Sequence, residues 1–538
     1  MTRVRSLGGV SVIGEILLVD REPPHCGSPT ALPLDPPRLP RMEPPRHAGR
    51  ETSFVMLPIA LERTSSAPTL QEQIYRFIRD RVMAGHLPAG ARLPSTRELA
   101  QSLGVSRNTV VLAFDWLAAE GYIERHAGSG TFVARLLPPN LTPAPALPET
   151  RPVPDPQEPP PVVPPAVPPP VLAGEGRPVF DFWYGRPDPR LFPAHTWRML
   201  AGMVLGACAR GLADYGDRGG DPDLRSAIAT HLAGARGLAA APDQVIITAG
   251  AQEALNLIAR LLVEPGTPVA LEAPGYDAAA RVFEDHGARI HPVPLDHEGL
   301  DPTALRGVRP RLVFVTPSHQ FPTGAVMTLA RRRALIEHCA QFGGRIIEDD
   351  YDGEIIYDRP PVAALAALDG LERTLYVGSF SKTLGNGLRL GYVVVPRALV
   401  PAARAVKGLM SYGQSWLDQQ ILAAFLASGR FERHLRRLRV TYRARRDAAR
   451  AGLLALFGPE LRVEGADAGL HLYCTLPPSA PSAQEVARCA RARGIGFYPA
   501  EASGLRGGGV DLARSLIIGY GALTPEEINE AFRRLEGL

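Results

Sequence analysis

Apolar positions between Leu70 and Val133 fall first into helical spacings and then into two short alternating runs. Ile74, Phe77, Ile78 and Val82 recur every three or four residues, as one buried helix face requires, and Gly85 with Pro88 ends the run. Ser95-Thr-Arg-Glu98 carries the residues of a capping box, so a second helix is expected there with Leu99 and Leu103 inward. Gly104 makes the turn, and Ser106 caps a third helix that begins Arg107-Asn108-Thr109-Val110 and has Val110, Phe114 and Leu117 as its core and Gly121 as its stop. Residues 122–125 and 131–133 read as strands around the tip Gly128-Ser129-Gly130.

Further on, apolar runs near Val245, Val269, Leu312, Ile346, Leu375 and Val393 alternate with helical stretches, the pattern of a mainly parallel α/β sheet. From about Val400 the chain turns helical and arginine-rich. Phe431, Leu435, Leu438 and Tyr442 keep an apolar stripe there, so the arginines of 430–450 read as a solvated face. Residues 470–538 read as a smaller domain. Residues 1–57 have no sustained period and are rich in proline and arginine; they are expected to be disordered or a misassigned N-terminal extension, with Met56 or a neighbour as the natural start. Between 136 and 178 about two residues in five are proline, which favours extended polyproline II and a semi-rigid spacer reaching up to about 100 Å. The expected division is therefore 1–57 extension, 58–135 first domain, 136–178 linker and 179–538 second domain.

A length of 538 residues fits more than one domain, and a net charge of +4 says nothing by itself about nucleic acid. Five cysteines are scattered without a C-x-x-C pair, which fits a reducing compartment and no structural zinc. No apolar run approaches the roughly 18 residues of a membrane span, so a soluble, cytoplasmic protein without a membrane partner is expected.

Candidate chemistry gathers at two strand ends. A strand over 375–377, broken at Gly378, is expected to present Ser379, Ser381 and Lys382 on a turn ahead of Arg389; another, Arg345-Ile-Ile, ends in Glu348-Asp349-Asp350-Tyr351. Parallel strands deliver functional groups at such ends. The Lys382 amine suits a Schiff base with pyridoxal phosphate, and Asp349 suits the carboxylate that keeps the pyridine nitrogen protonated. Tyr351 can bond the ring's phenolic oxygen, while Ser379, Ser381 and Arg389 can hold the phosphate, Arg389 by charge-assisted bonds.

From about Phe180 onward the chain resembles the fold-type I, class I/II aminotransferases. The resemblance rests on Asp181-Phe-Trp-Tyr-Gly-Arg-Pro-Asp-Pro, Tyr215-Gly-Asp with Gly220 and Leu224-Arg225, Thr248-Ala-Gly-Ala-Gln-Glu, Glu272-Ala-Pro-Gly-Tyr276 and the Lys382 stretch. It implies that Ala251 and Gln252, at a helix start, donate backbone N–H groups to the phosphate. It also implies that Tyr276 stacks on the cofactor ring, and that Tyr215 reaches a partner's phosphate across a subunit boundary.

The layout of the first domain is that of a winged helix-turn-helix, and its wording is similar to the GntR family: Leu-Pro-Ser95-Thr-Arg97-Glu-Leu-Ala, Leu-Gly-Val-Ser106-Arg-Asn-Thr-Val and Gly128-Ser-Gly-Thr-Phe-Val. That resemblance implies that Arg107 reads a guanine edge and that Asn108 and Thr109 meet bases or phosphate. Ser95 and Ser106 then act at the caps, and Arg97 and the Gly128 wing tip meet backbone or minor groove. Together the halves resemble the MocR subfamily, which includes the GabR type. The expected fold class is multidomain, an all-α winged helix-turn-helix joined to an α/β pyridoxal-phosphate-dependent transferase fold of type I. The implied function is a transcription regulator whose aminotransferase-like domain senses pyridoxal phosphate or a small amine. The implied assembly is a head-to-tail homodimer on a double-stranded DNA operator with repeated half-sites. An active aminotransferase is the alternative.

The chain departs from the aminotransferase pattern at two positions and from the GabR type at a third. Phe321 precedes Pro322-Thr323-Gly324 where aminotransferases have asparagine. Ile517 occupies the place of the carboxylate-gripping arginine, with Arg514 about 10 Å along the strand and on its other face. Ala278 stands where the GabR type has arginine. γ-Aminobutyrate and ordinary α-amino acids are therefore not the expected effectors.

Overall fold

In the computed structural model, residues 57–64, 68–126, 128–135, 177–207, 209–360, 362–501 and 511–537 are described. The expectations for residues 1–56 and for the proline-rich stretch lie outside them. The chain divides into two units, Met1–Pro159 and Pro160–Leu538, with the division falling inside the proline-rich segment.

In the first unit, three helices, α1 (Leu70–Met83), α2 (Thr96–Leu103) and α3 (Arg107–Ala119), precede an antiparallel hairpin of Ile123–His126 and Gly130–Val133. Each strand is displaced by about one residue from its sequence expectation. The capping box forms as read: Ser95 Oγ accepts from the Glu98 N–H at 3.2 Å and Glu98 accepts from the Ser95 N–H at 2.8 Å. Ile74, Ile78, Val82, Leu99, Val110, Phe114 and Leu117 form the core with Ile123 and Val133, while Phe77 and Leu103 are only partly buried. Leu57, Ile59 and Leu61 also pack against this core, and Arg63 donates to the Gly104 carbonyl at 2.9 Å. The segment before α1 thus belongs to the domain and steadies the turn between α2 and α3.

The second unit is built on an eight-stranded sheet. Its order is Val245–Thr248, Gly391–Val394, Thr374–Ser379, Arg345–Asp350, Leu312–Val315, Pro268–Ala273, Arg289–Asp296 and Gly299–Leu300. Every expected strand is present, and the sequence reading missed the last two. Gly391–Val394 runs antiparallel to both neighbours and Gly299–Leu300 to its one; the remaining pairings are parallel. Gly378 does not break its strand. It lies within Thr374–Ser379, and a Cβ there would sit 2.3 Å from Tyr392 Cζ, so the glycine makes room for a cross-strand ring.

Alternation along Arg345–Asp350 sorts its acids. Glu348 accepts from the Leu365 and Ala366 N–H groups at 2.8 Å each and lies beside the buried Arg332. Asp350 is clamped by Arg236 at 2.8 Å and by the Tyr376 hydroxyl. Asp349, between them, points to the opposite face. In register with it, Val377 opposes Asp349 on the neighbouring strand, which places the Ser379–Lys382 turn beside that carboxylate.

A second, antiparallel sheet of Arg462–Glu464, His471–Thr475, Ser515–Gly519 and Tyr498–Pro499 forms the smaller C-terminal part. Helix Arg430–Phe457 buries Phe431, Leu435, Leu438 and Tyr442 as expected. Its arginines are not all solvated, however: Arg445 bonds Asp188 at 2.7 Å and Arg446 bonds Asp358 and the Ala466 carbonyl at 2.5 Å each. Period alone does not reveal such inward-turned arginines, because their carboxylate partners come from distant segments. Among the described residues, no helix is long and apolar enough to cross a membrane.

Candidate functional site

Nine of the ten expected cofactor residues line one cavity of about 380 Å³: Ala251, Gln252, Tyr276, Asp349, Tyr351, Ser379, Ser381, Lys382 and Arg389. Tyr184, Gly185, Thr316, Phe321, Asn386 and His471 complete its wall. A larger groove of about 920 Å³ between helices Pro222–Arg236 and Trp416–Ala427 is lined mainly by small side chains, and none of the expected residues reaches it.

One end of the cavity carries groups that could hold an anion. Helix Ala251–Leu262 starts after Gly250 with no side chain capping it, so the N–H groups of its first turn and the positive end of its dipole face the opening. The Ser379 hydroxyl donates to Ser381 Oγ at 2.9 Å and accepts from the Ser381 N–H at 3.1 Å. Arg389 donates to the Ala249 carbonyl just before the helix, which brings its guanidinium to the same end.

The middle holds an amine and a carboxylate. Lys382 Nζ donates to the Gly185 carbonyl at 2.8 Å; desolvation lowers its proton affinity, against the pull of Asp352 and Asp349. Asp349 is buried, and burial, reinforced by Asp350 and Asp352, pushes its carboxyl up to about 7. Its Oδ1 atom is buried with no hydrogen-bond partner among the described residues. A buried carboxylate oxygen in that state is a vacant acceptor for a ligand N–H. Glu272 is likewise raised to about 7 by burial, although it accepts from the Thr316 N–H at 3.1 Å and hydroxyl at 2.6 Å.

The remaining wall is aromatic. Phe321 lies 5.7 Å from Tyr184, 6.0 Å from Tyr276, 6.1 Å from Tyr351 and 5.5 Å from His471, ring centre to ring centre. Burial raises the Tyr276 phenol to about 12. The Tyr351 hydroxyl lies 3.1 Å from His319 Nδ1, which also pairs with Asp352 at 2.7 Å. His471 donates from Nε2 to the Pro322 carbonyl at 3.0 Å, and burial beside His319 lowers its pKa to about 4, so the ring is neutral. His471, Thr316 and Asn386 were not singled out from sequence. His471 enters from the smaller sheet, and nothing in its local pattern marks it.

Tyr215 lies outside this cavity. It is 89% exposed and packs 5.5 Å from Tyr412 in a separate cleft. Ile517 is fully buried with Tyr473 and Ala500, with Tyr184 and Phe321 packed against them. Arg514 donates to the carbonyls of Leu476 at 3.4 Å and Ala480 at 3.0 Å; it ends the turn Leu512–Arg514, ahead of the strand Ser515–Gly519, and is not on that strand as expected.

In the first unit, Ser95, Arg97, Ser106, Arg107 and Asn108 lie at the starts of α2 and α3, where Arg97, Ser106, Arg107 and Asn108 are exposed and Thr109 is half-buried. Ser106 accepts from the Thr109 N–H at 3.1 Å, and their hydroxyls are 2.7 Å apart. Arg107 Nε reaches within 3.5 Å of Thr96 Oγ1, so the two helix starts share one side of the domain. Gly128 is exposed in the hairpin turn at φ +75°.

Two family descriptions match the chain. Residues 206–535 match "Aminotransferase class I and II", and residues 70–133 match "Bacterial regulatory proteins, gntR family". The chain is 34% identical to the probable rhizopine catabolism regulatory protein MocR of Rhizobium meliloti, over 89% of this chain and 95% of that one. Among solved structures, it is similar to the α-aminoadipate aminotransferase LysN of Thermus thermophilus, complexed with N-(5'-phosphopyridoxyl)-L-leucine, at 30% identity and a TM-score of 0.60 over 67% of this chain and 91% of that one. The kynurenine aminotransferase of Pyrococcus horikoshii aligns at 27% identity and a TM-score of 0.61, over 66% and 89% of the two chains.

Proposed function

Because the chain belongs to the MocR-type gntR-family regulators, in which a helix-turn-helix reader is joined to a class I/II aminotransferase-like body, we propose that the body holds pyridoxal phosphate and that its occupancy sets DNA affinity. The observation that carries this is the convergence of Lys382, Asp349 and the uncapped helix start at Ala251 on one cavity. The orphaned Oδ1 of Asp349 fits a protonated pyridine nitrogen, and the Ala251–Gln252 N–H groups, Ser379, Ser381 and Arg389 fit a phosphate. The likeness to LysN, solved with a phosphopyridoxyl ligand, supports the same assignment.

When bound, the cofactor supplies an aldehyde that condenses with a primary amine. The residues do the rest. Desolvation lowers the proton affinity of Lys382 Nζ, which favours the nucleophilic free amine, the Gly185 carbonyl orients it, and the Tyr276 and Phe321 rings wall the site. In the reader, Arg107, Asn108 and Thr109 read the major groove, Ser95, Ser106 and Arg97 meet the backbone, and Gly128 sits at the wing tip. A head-to-tail homodimer supplies two readers for repeated half-sites, and the exposed Tyr215 then meets the partner's phosphate end.

The test is an operator selected from random duplexes by the full-length protein, then titrated with and without pyridoxal phosphate. The proposal expects the two affinities to differ, and DNA to change cofactor affinity by the same factor. Equal affinities would contradict it. An active aminotransferase is the second reading, favoured by the intact set around Lys382; steady release of an amino-acid product from an amine donor and a 2-oxo acid would establish it.

A further inference from the structure

We propose that the amine sensed in this cavity is a primary amine with an uncharged, aromatic or apolar body, and not an amino acid. The inference rests on the reading of the cavity as a pyridoxal phosphate site and names the ligand class of that site.

Two cationic side chains line the cavity, Lys382 and Arg389. Arg389 is held at the anion end by the Ala249 carbonyl, and Lys382 sits centrally against Gly185. The rest of the wall offers Tyr184, Phe321, Tyr276 and a neutral His471. Behind Tyr184 and Phe321 the wall is closed by Ile517, packed with Tyr473 and Ala500.

Three arginines around the site, Arg186, Arg236 and Arg514, are committed elsewhere. Arg186 pairs with Asp181 at 2.6 Å, Arg236 with Asp350 at 2.8 Å and the Ser318 hydroxyl at 2.7 Å, and Arg514 with backbone carbonyls of the smaller domain. A ligand carboxylate against this wall would lose its water, and none of the lining residues there is cationic. The aromatic ring faces are electronegative, and Asp349 and Asp352 lie close to Lys382; both repel an added anion. The same ring cluster suits an apolar or aromatic ligand body, which loses water on entry without leaving a charge unpaired.

The experiment compares matched probes on the wild-type protein loaded with pyridoxal phosphate: phenethylamine against L-phenylalanine, and n-butylamine against 4-aminobutyrate. The readouts are the shift of the bound cofactor's absorbance band and calorimetric binding. Each carboxylate-free amine is expected to act at a concentration about ten-fold or more below its amino-acid counterpart. Equal or better action by the amino acid would overturn the inference, as would a loaded protein that responds to none of the four. If the protein forms no cofactor band at all, the cofactor reading itself fails, and this inference falls with it. Ile517→Arg, which places a cation behind Tyr184 and Phe321, is expected to improve the amino-acid response about ten-fold; no gain in a folded variant would mean that something other than the uncharged wall excludes the carboxylate, and would also overturn it. If that variant does not fold, the wild-type comparison decides alone.

Discussion

Lys382 and Gly185 are 197 residues apart, yet Lys382 Nζ donates to the Gly185 carbonyl at 2.8 Å. Gly185 has φ +73°, and a Cβ on it would lie 3.0 Å from that same nitrogen. The backbone there both aims the amine and leaves it room.

Gly185→Ala should therefore disturb the amine more than the fold. The left-handed backbone makes an alanine cost about 1 kcal/mol, while the crowded Nζ must leave its place. Pyridoxal phosphate affinity, read by absorbance titration, is expected to weaken about ten-fold or more, a loss of about 1.4 kcal/mol. Unchanged affinity would show that the Gly185 contact does not aim Lys382.

Asp349 gives a pH prediction. Its carboxyl is raised from 3.8 to about 7, mainly by burial, so between about pH 4 and pH 7 the folded protein keeps a proton that the unfolded chain has released. Stability of the cofactor-free protein should fall as pH rises through that window, with the loss complete above it. Asp349→Asn should flatten the fall, leaving the part due to Glu272, which is raised to the same range. A fall in Tm equally steep in the variant would contradict this placement of Asp349.

The buried pair of Arg236 and Asp350, 2.7 Å apart, lies behind the cavity-facing acid. Arg236→Met should destabilise the protein by about 3–5 kcal/mol, because Asp350 is left charged and desolvated. Urea unfolding measures it; a loss below about 1 kcal/mol would mean that Tyr376 alone satisfies Asp350.

Arg107→Ala should cost about 1–3 kcal/mol in binding to a selected operator and relax its sequence preference. The cofactor spectrum should stay the same, since Arg107 lies in the other unit. Normal operator binding by the variant would move the reading surface away from the start of α3.

Much of this was legible in the sequence because it is local. The Ser95–Glu98 capping box, the Ser106 cap and the helical stripe of Phe431, Leu435, Leu438 and Tyr442 are properties of a few consecutive turns, and they formed as read. Six of the nine cavity residues, Asp349, Tyr351, Ser379, Ser381, Lys382 and Arg389, follow from turn and strand-end motifs that keep their chemistry within a few positions, and Ala251, Gln252 and Tyr276 from the family resemblance. What escaped was long-range. His471 reaches the cavity from another sheet, Arg445 finds Asp188 across 257 residues, and Gly378 looked like a break because its partner Tyr392 lies on the next strand. Tertiary packing decides such cases, and periodicity carries no record of it.

The central claim is that Lys382 holds pyridoxal phosphate in this cavity. The most direct measurement is the near-visible absorbance of the full-length protein titrated with pyridoxal phosphate, for the wild type and for Lys382→Ala. The account predicts a saturable band in the wild type that is absent from the variant, with both proteins equally folded by circular dichroism. No band in the wild type, or the same band in Lys382→Ala, would contradict it.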